Sequence, residues 1–341
     1  MMRIDGLDVD VRPGETVFDA ARRAGILIPS LCWDGRLEPG GHCRLCVARI
    51  RGRRLPAATC ATPAEDGMVV ETDTEELREL RRGILELTLS ENPGGDCPRC
   101  RAVGPCELHA LAARLGVERG RFRGRTSGAA RPDPNPFIAR DYDRCISCFR
   151  CTRICGEVEG DHAIVPAGRG FDTRIATPFD RGLGESPCTF CGQCVRTCPT
   201  GALTDKKWRG PADASVTTTC VYCGTGCSLN LHAKDGRVVG VTPDLDGPAN
   251  RGALCVKGQF GFDFLHRPER LKTPLIREGG GFREASWDEA LDLVARRFRD
   301  HRGDAFYAIA SGRAPNESAY LLQKFARTRM GTHQVDNCAR L

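Results

Sequence analysis

The chain has 341 residues, 40% of them hydrophobic, and a formal net charge of +6 from 50 basic and 44 acidic side chains. That apolar content excludes a disordered chain, no run of 18 apolar residues offers a membrane span, and the charge is too modest to argue for nucleic acid. Twenty cysteines, about 6% of the residues, narrow the choice to a disulfide scaffold or a metal protein. The first 18 residues show no basic segment followed by an apolar one, which points to a reducing cytoplasm where thiols bind metal. Residues 2–11 alternate apolar and polar side chains about Asp5-Gly6, predicting a hairpin. Thr16 with Asp19 in capping-box position predicts a helix whose apolar face is Val17, Ala20, Ala21 and Ala24 and which Gly25 ends. A cysteine-bearing loop and a strand near 47–51 follow, and hairpin, helix and loop together suggest a β-grasp ferredoxin. Residues 75–90 read as a helix. The Gly-, Arg- and Pro-rich stretch 116–137 carries one aromatic, Phe122, and reads as a solvated linker, not an RNA-binding segment. Near the far end Ser286 caps an amphipathic helix, 306–310 reads as a buried strand, and 317–330 as a second helix, the beginning of an α/β domain.

The cysteines fall into five groups. Group one is Cys32, Cys43, Cys46 and Cys60, and group two is Cys97, Cys100 and Cys106. Group three is Cys145, Cys148, Cys151 and Cys155, group four is Cys188, Cys191, Cys194 and Cys198, and group five is Cys220, Cys223, Cys227 and Cys255. Only Cys338 stands apart. Zinc is the plain alternative, since paired C-x2-C motifs also build tetrahedral zinc sites. Groups three and four, however, each carry C-x2-C-x2-C-x3-C, the bacterial ferredoxin run, in which the fourth cysteine serves the other cluster. That assigns Cys145, Cys148, Cys151 and Cys198 to one 4Fe–4S cluster, and Cys188, Cys191, Cys194 and Cys155 to a second. Cys198-Pro199 keeps the usual proline of this run, whereas Cys155-Gly156 does not. Short x2 gaps let one turn of backbone aim several thiolates and amides at a cube of iron and sulfide.

Three stretches carry a family resemblance. LCWDGRLEPGGHCRLC, ATCATPAEDGMVV and CPRCRAVGPCEL make residues 1–110 resemble the iron–sulfur head shared by the large peripheral subunit of complex I, iron-only hydrogenases and NAD-linked formate dehydrogenases. Residues 138–206 resemble the two-cluster ferredoxin insert of the last two. CVYCGTGCSL, RGALCVKGQFGFDFLHRPERLKTPL, SWDEALDLVARRF and APNESAYLLQKFARTRMGTHQVDNCARL make 216–341 resemble the start of a molybdopterin oxidoreductase, most like formate dehydrogenase alpha subunits. The resemblance implies an α+β multidomain chain. Residues 1–80 would be a β-grasp 2Fe–2S ferredoxin held by group one, 81–120 a helical cysteine-rich 4Fe–4S segment, and 121–137 a linker. Residues 138–208 would be a bacterial ferredoxin with two 4Fe–4S clusters, 216–272 the 4Fe–4S domain of a molybdopterin oxidoreductase, and 273–341 a truncated start of its catalytic domain. Group five would hold the cluster nearest the pterin, with Lys257 between cluster and cofactor.

The cofactors so implied are one 2Fe–2S, three 4Fe–4S and a possible fourth in group two, and molybdenum or tungsten held by two pterin guanine dinucleotides. Group two departs from the family, which places a histidine four residues before its first cysteine. Here the run is Asn92-Pro93-Gly94-Gly95-Asp96-Cys97, so Asp96, Asn92, a water or His109 stand as substitutes, and His109 is equally readable as an ordinary helix residue. No G-x-G-x-x-G follows a predicted strand, so flavin and NAD chemistry is assigned to a partner subunit, with ferredoxin as an alternative acceptor. The implied activity is reversible oxidation of formate to CO2. A free-standing multi-cluster electron carrier, or the head of another pterin enzyme such as a nitrate reductase, are the alternatives. In the resembling family the run C-A-R-x precedes the metal-ligating cysteine or selenocysteine. Cys338-Ala339-Arg340-Leu341 is that run here, giving the expectation of a longer active protein interrupted at a selenocysteine codon, against a shortened product, a contig edge, or Cys338 as the ligand.

Overall fold

Asp5 and Gly6 both take positive φ, 46° and 85°, which lets the chain reverse in two residues between β1 (Met2–Ile4) and β2 (Leu7–Val9). The computed structural model describes residues 1–92, 106–118, 120–126 and 134–340, in two units, Met1–Ala212 and Asp213–Leu341. After the hairpin, Thr16 and Asp19 close the expected capping box on α1 (Val17–Arg23), and Gly25 turns the chain out at φ 78°. β3 (Val47–Ile50), β4 (Ala57–Ala58) and β5 (Val69–Glu71) complete a five-stranded sheet in the order β2-β1-β5-β3-β4, with β1 and β5 parallel. Met2, Ile4, Val17, Phe18, Ala21, Ile50 and Val70 form an apolar core between this sheet and α1. Cys46 and Cys60 of the cysteine loop join that core, whose strand and helix side chains are otherwise apolar.

Thr74 caps α2 (Glu75–Ser90), which buries Leu77, Arg81 and Leu85. α3 (Glu107–Arg114) packs Leu108, Leu111 and Ala112 into one cluster with Leu85 and with Leu31 and Leu45 of the first cysteine loop. The stretch expected to be a solvated linker is exposed over 121–125, and it also lies along α2. A Cβ at Gly120 would lie 2.7 Å from the Glu86 carbonyl, so the chain runs hard against α2, and Arg121 pairs with Glu86 at 2.7 Å. Glycine permits that approach, and composition alone reads the same glycines as solvated chain.

The remainder of this unit is short elements joined by cysteine loops. They are β6 (Ile138–Arg140), α4 (Arg150–Glu157), β7 (Val165–Ala167), β8 (Arg174–Ala176), α5 (Gln193–Thr197) and β9 (Leu203–Asp205). β6 pairs with β9 and β7 with β8, both antiparallel. The second unit opens with β10 (Ala214–Thr219), β11 (Ser228–Lys234) and β12 (Arg237–Pro243) as an antiparallel sheet, followed by α6 (Val256–Phe260). A hairpin of β13 (Leu275–Glu278) and β14 (Gly281–Glu284) leads to α7 (Trp287–Asp300), capped by Ser286 as expected. β15 (Ala308–Ala310), α8 (Asn316–Phe325) and β16 (Val335–Asn337) then make a parallel crossover.

One expectation is corrected here: the strand predicted for 306–310 covers only Ala308–Ala310, with Ile309 67% exposed. The helix expected over 317–330 does reach Met330, α8 passing after Phe325 into a π-helical turn over Ala326–Met330. Among the described residues neither α7 nor α8 buries a side chain, and Leu291, Val294 and Leu321 lie exposed on their apolar faces. A parallel strand pair needs further layers on both faces before such helices are covered. Among the described residues, no helix is long and apolar enough to cross a membrane.

Candidate metal centres

Group one sits on the loop between α1 and β3, with Cys60 on the turn after β4. Trp33 anchors the loop by packing on Phe18, 5.2 Å between ring centroids, beneath the Arg22 guanidinium at 4.1 Å. Gly41 and Arg44 take positive φ, which turns the chain tightly enough to bring four thiols together. The Cys43 amide donates to Cys32 Sγ at 3.4 Å, the Leu31 amide to Cys43 Sγ at 3.4 Å, and Cys46 Sγ lies 3.3 Å from Cys60 Sγ. Hydrogen bonds from Cys43 and Cys60 hold Cys32 far below the usual thiol range, and one from Cys60 brings Cys46 to about 7. Cys43 and Cys60 are pushed up in return, chiefly by the same bonds to Cys32. Cys32 and Cys46 are thereby held toward the thiolate, the form that binds metal, while Cys43 and Cys60 keep their protons.

Groups three and four repeat one backbone design. Ser147 and Phe149 flank Cys148 with positive φ, and Phe190 and Gly192 do the same around Cys191. Each loop thereby turns amides toward sulfur: Ser147 toward Cys145, Arg150 toward Cys148, Gln193 toward Cys191, and Phe190 toward Cys188 at 3.4 Å. Burial pushes Cys145 up to about 11, Cys191 up to about 12, and Cys151 and Cys194 well above the ordinary range. After burial, Cys151 is pushed up by Cys148, Cys198 and Cys145, whereas Cys194 is pushed up by Cys191, Cys188 and Cys155. Cys198 thus lines one cavity with Cys145, Cys148 and Cys151, Cys155 lies close enough to Cys194 to raise it, and Cys194 and Cys198 also act across the two sets.

Cys145, Cys148, Cys151 and Cys198 ring a cavity walled by Tyr142, Ile146, Phe149, Ile175 and Leu203. Four thiols around a cavity with apolar walls are a donor set that suits an iron–sulfur cube.

Group five joins the end of β10, the start of β11 and the start of α6, with Cys220 donating its amide to the Cys227 carbonyl at 2.8 Å. Asn250 clamps the last ligand loop: its Oδ1 accepts from Ser228 N at 2.8 Å while Nδ2 donates to the Ser228 and Ala253 carbonyls at 3.0 and 2.9 Å. Burial pushes Cys220 up, offset by the Tyr222 amide and by nearby Lys257. Thr225 holds Cys223 below the usual range, and Lys257 adds to that. Lys257 and Cys220 line one cavity together with Tyr222, Phe262 and Phe264.

In group two Cys106 is buried at the start of α3, with His109 half-buried one turn on. Cys97, Cys100 and the substitute ligand Asp96 lie outside the described residues. Asn92, the other substitute, gives its Nδ2 to the Arg144 carbonyl at 3.1 Å. Sequence reasoning passed over Arg81, 4% exposed on α2, whose Nε and Nη2 donate to the Leu45 and Val47 carbonyls on either side of Cys46, at 3.1 and 2.8 Å. Its other side faces a cleft that Arg78, Arg82 and Arg114 also line. A buried arginine four residues before Leu85 on a helix was the available signal.

Five family models match in chain order. They are the 2Fe-2S iron-sulfur cluster binding domain over 1–75 and the NADH-ubiquinone oxidoreductase-G iron-sulfur binding region over 81–121. The NADH-quinone oxidoreductase subunit 3 ferredoxin-like domain follows over 135–204, then the molybdopterin oxidoreductase Fe4S4 domain over 213–267 and the molybdopterin oxidoreductase domain over 270–341. Cysteine geometry and these matches define an iron–sulfur electron-relay protein.

A G-type subunit of the NADH-quinone oxidoreductase of Rhizobium meliloti is 39% identical over 99% of this chain and 40% of its own length. A Staphylococcus haemolyticus protein named, provisionally, as a formate dehydrogenase is 30% identical over 100% of this chain and 39% of its own. The crystal structure of the NAD+-reducing NiFe-hydrogenase in the H2-reduced state contains a chain 34% identical, with a TM-score of 0.54, covering 60% of this chain and 86% of that one. Over almost its whole length the chain is similar to a G-type subunit of NADH-quinone oxidoreductase, and its second unit matches the molybdopterin oxidoreductase models. The chain spans about 40% of the length of the curated relatives it matches.

Proposed function

We propose that the chain relays electrons between a flavin- and NAD-binding partner subunit and a molybdopterin site at which formate is oxidised to CO2. The observation that carries the relay is the sorting of sixteen cysteines into four complete thiol sets, two of them sharing one cysteine exchange. Cys32, Cys43, Cys46 and Cys60 hold the 2Fe–2S cluster of a β-grasp domain. Cys145, Cys148, Cys151 with Cys198, and Cys188, Cys191, Cys194 with Cys155, hold two 4Fe–4S clusters, and Cys220, Cys223, Cys227 and Cys255 hold the one nearest the pterin. These groups take up and pass on single electrons, and the amides aimed at their sulfurs set how readily. Formate is favoured by the resemblance of 321–341 and by the relative named for that activity. The higher identity to an NADH-quinone oxidoreductase subunit favours a second reading, a relay without formate chemistry.

The test uses the full-length protein with its partner, anaerobically. Formate reducing the clusters supports the first reading, reduction by NADH alone supports the second, and reduction by neither overturns the relay. In that enzyme Lys257→Ala is expected to slow formate-driven cluster reduction at least roughly tenfold while exchange among the other clusters is unchanged. Stopped-flow absorbance reads both rates, and unaltered formate kinetics would reject the role given to Lys257.

A further inference from the structure

Arg150 lies between Cys148 and Cys151 on the first turn of α4 and is 8% exposed. Its guanidinium reaches three other segments of the first unit. Nη1 donates to Glu107 Oε2 at 2.7 Å, Nε donates to Thr197 Oγ1 at 3.0 Å, and Nη2 lies 3.9 Å from Asp34 Oδ2. Thr197 Oγ1 donates in turn to Asp34 Oδ2 at 2.7 Å, closing a ring. Every contacted residue adjoins a cysteine of a different group: Asp34 is two after Cys32, Glu107 one after Cys106, and Thr197 one before Cys198. Arg36 extends the network by pairing with Asp34 at 2.9 Å and donating to Gln193 Oε1 at 3.0 Å, beside Cys194. The ring of His42, next to Cys43, also meets that of Phe149 edge-on, 5.1 Å between centroids.

Buried ion pairs seldom stabilise a fold more than apolar side chains of the same volume would, so cohesion alone is a weak account of this one. A fixed buried cation beside thiolate ligands acts differently, because it favours the state with one more electron. Resting on the electron-relay reading above, we propose that Arg150 is a positioning residue. It fixes the 2Fe–2S loop and the group-two helix against the Cys145/Cys148/Cys151/Cys198 cluster, and its charge raises the potential of that cluster. One electron then crosses the junction, oxidising the 2Fe–2S side and reducing the 4Fe–4S side, with no bond or proton moved at Arg150.

The experiment takes the full chain, anaerobically loaded with iron and sulfide, as wild type, Arg150→Met and Arg150→Lys. Electron paramagnetic resonance under controlled potential reads each cluster's reduced fraction and the magnetic splitting between the 2Fe–2S and its 4Fe–4S neighbour. In Arg150→Met the reduced-to-oxidised ratio of the central cluster is expected to fall about tenfold at fixed potential, about 59 mV for one electron, with the splitting diminished. The group-five cluster should not move. Arg150→Lys keeps the charge but not the three-way fork, so it should restore the ratio and not the splitting. Full iron with both readouts unchanged in Arg150→Met overturns the proposal. If that variant fails to hold iron, Thr197→Val removes only the bridging hydroxyl, and an unchanged splitting there overturns it equally. Wild-type chain that binds zinc and no iron would instead defeat the relay reading itself.

Discussion

Replacing Cys194 with serine is expected to remove one 4Fe–4S cluster and leave the others, lowering iron from about 14 to about 10 atoms per chain. Cys194 is half-buried beside Cys191, Cys188 and Cys155, while Cys151 has Cys148, Cys198 and Cys145 as its neighbours. A serine oxygen is harder than sulfur and stays protonated when buried, so the cube loses a corner that no nearby group replaces. The cost should stop there because the adjacent cavity is lined by Cys145, Cys148, Cys151 and Cys198, none of which is replaced, Cys198 standing at the C-terminal end of α5 one turn beyond the lesion. Iron and sulfide analysis of anaerobically loaded protein checks the count. Loss of all iron from 138–208 would show the two clusters to be interdependent, and a wild-type count near 18 would show that group two assembles as well.

Stripping the iron with an oxidant and a chelator should unfold part of the first unit and spare the rest. Between 138 and 208 the chain has two two-stranded ladders and two α-helices of eight and five residues, and its buried side chains include Cys148, Cys151, Cys155 and Cys198. With the metal gone, those thiols line a cavity in place of a core, and the binding energy that ordered the loops is lost. The N-terminal sheet keeps its own apolar core of Met2, Ile4, Phe18 and Val70 against α1. Limited proteolysis followed by mass spectrometry is expected to cut within 138–208 at least roughly tenfold faster after iron removal, with 1–80 protected. Equal protection of both would mean that the ferredoxin loops fold without their clusters.

What the sequence made legible was whatever lies close along the chain. The Asp5-Gly6 reversal, the Thr16–Asp19 box, the Ser286 cap and the C-x2-C runs are all set within a few residues, and each appears in the structure where the pattern puts it. Cys155 and Cys198 could be exchanged between sets because the spacing itself implies a known backbone wrap. Arg150, Asp34 and Arg81 were illegible for the opposite reason. Their partners lie 34 to 163 residues away, and a charged residue inside a polar cysteine run looks like ordinary solvated chain. The glycines at 120 and 124 misled similarly, marking close approach to α2 where composition suggested freedom. In the second unit, amphipathic periodicity located α7 correctly but could not say that its apolar face stays unburied apart from the packing of Phe298 on Phe306 and Phe325.

Arg81 and Arg150 are both guanidiniums buried beside cysteine loops, yet they differ in what lies behind them. Arg150 is enclosed by carboxylates and a hydroxyl, whereas Arg81 backs onto a cleft open to dissolved ions. At physiological salt the screening length is about 8 Å, so small anions entering that cleft blunt the Arg81 charge and leave Arg150 untouched. Ionic strength therefore becomes a dial for one end of the chain alone. Raising salt should make the 2Fe–2S group harder to reduce while its neighbour holds steady, so the downhill step between them steepens in concentrated solution and flattens in dilute.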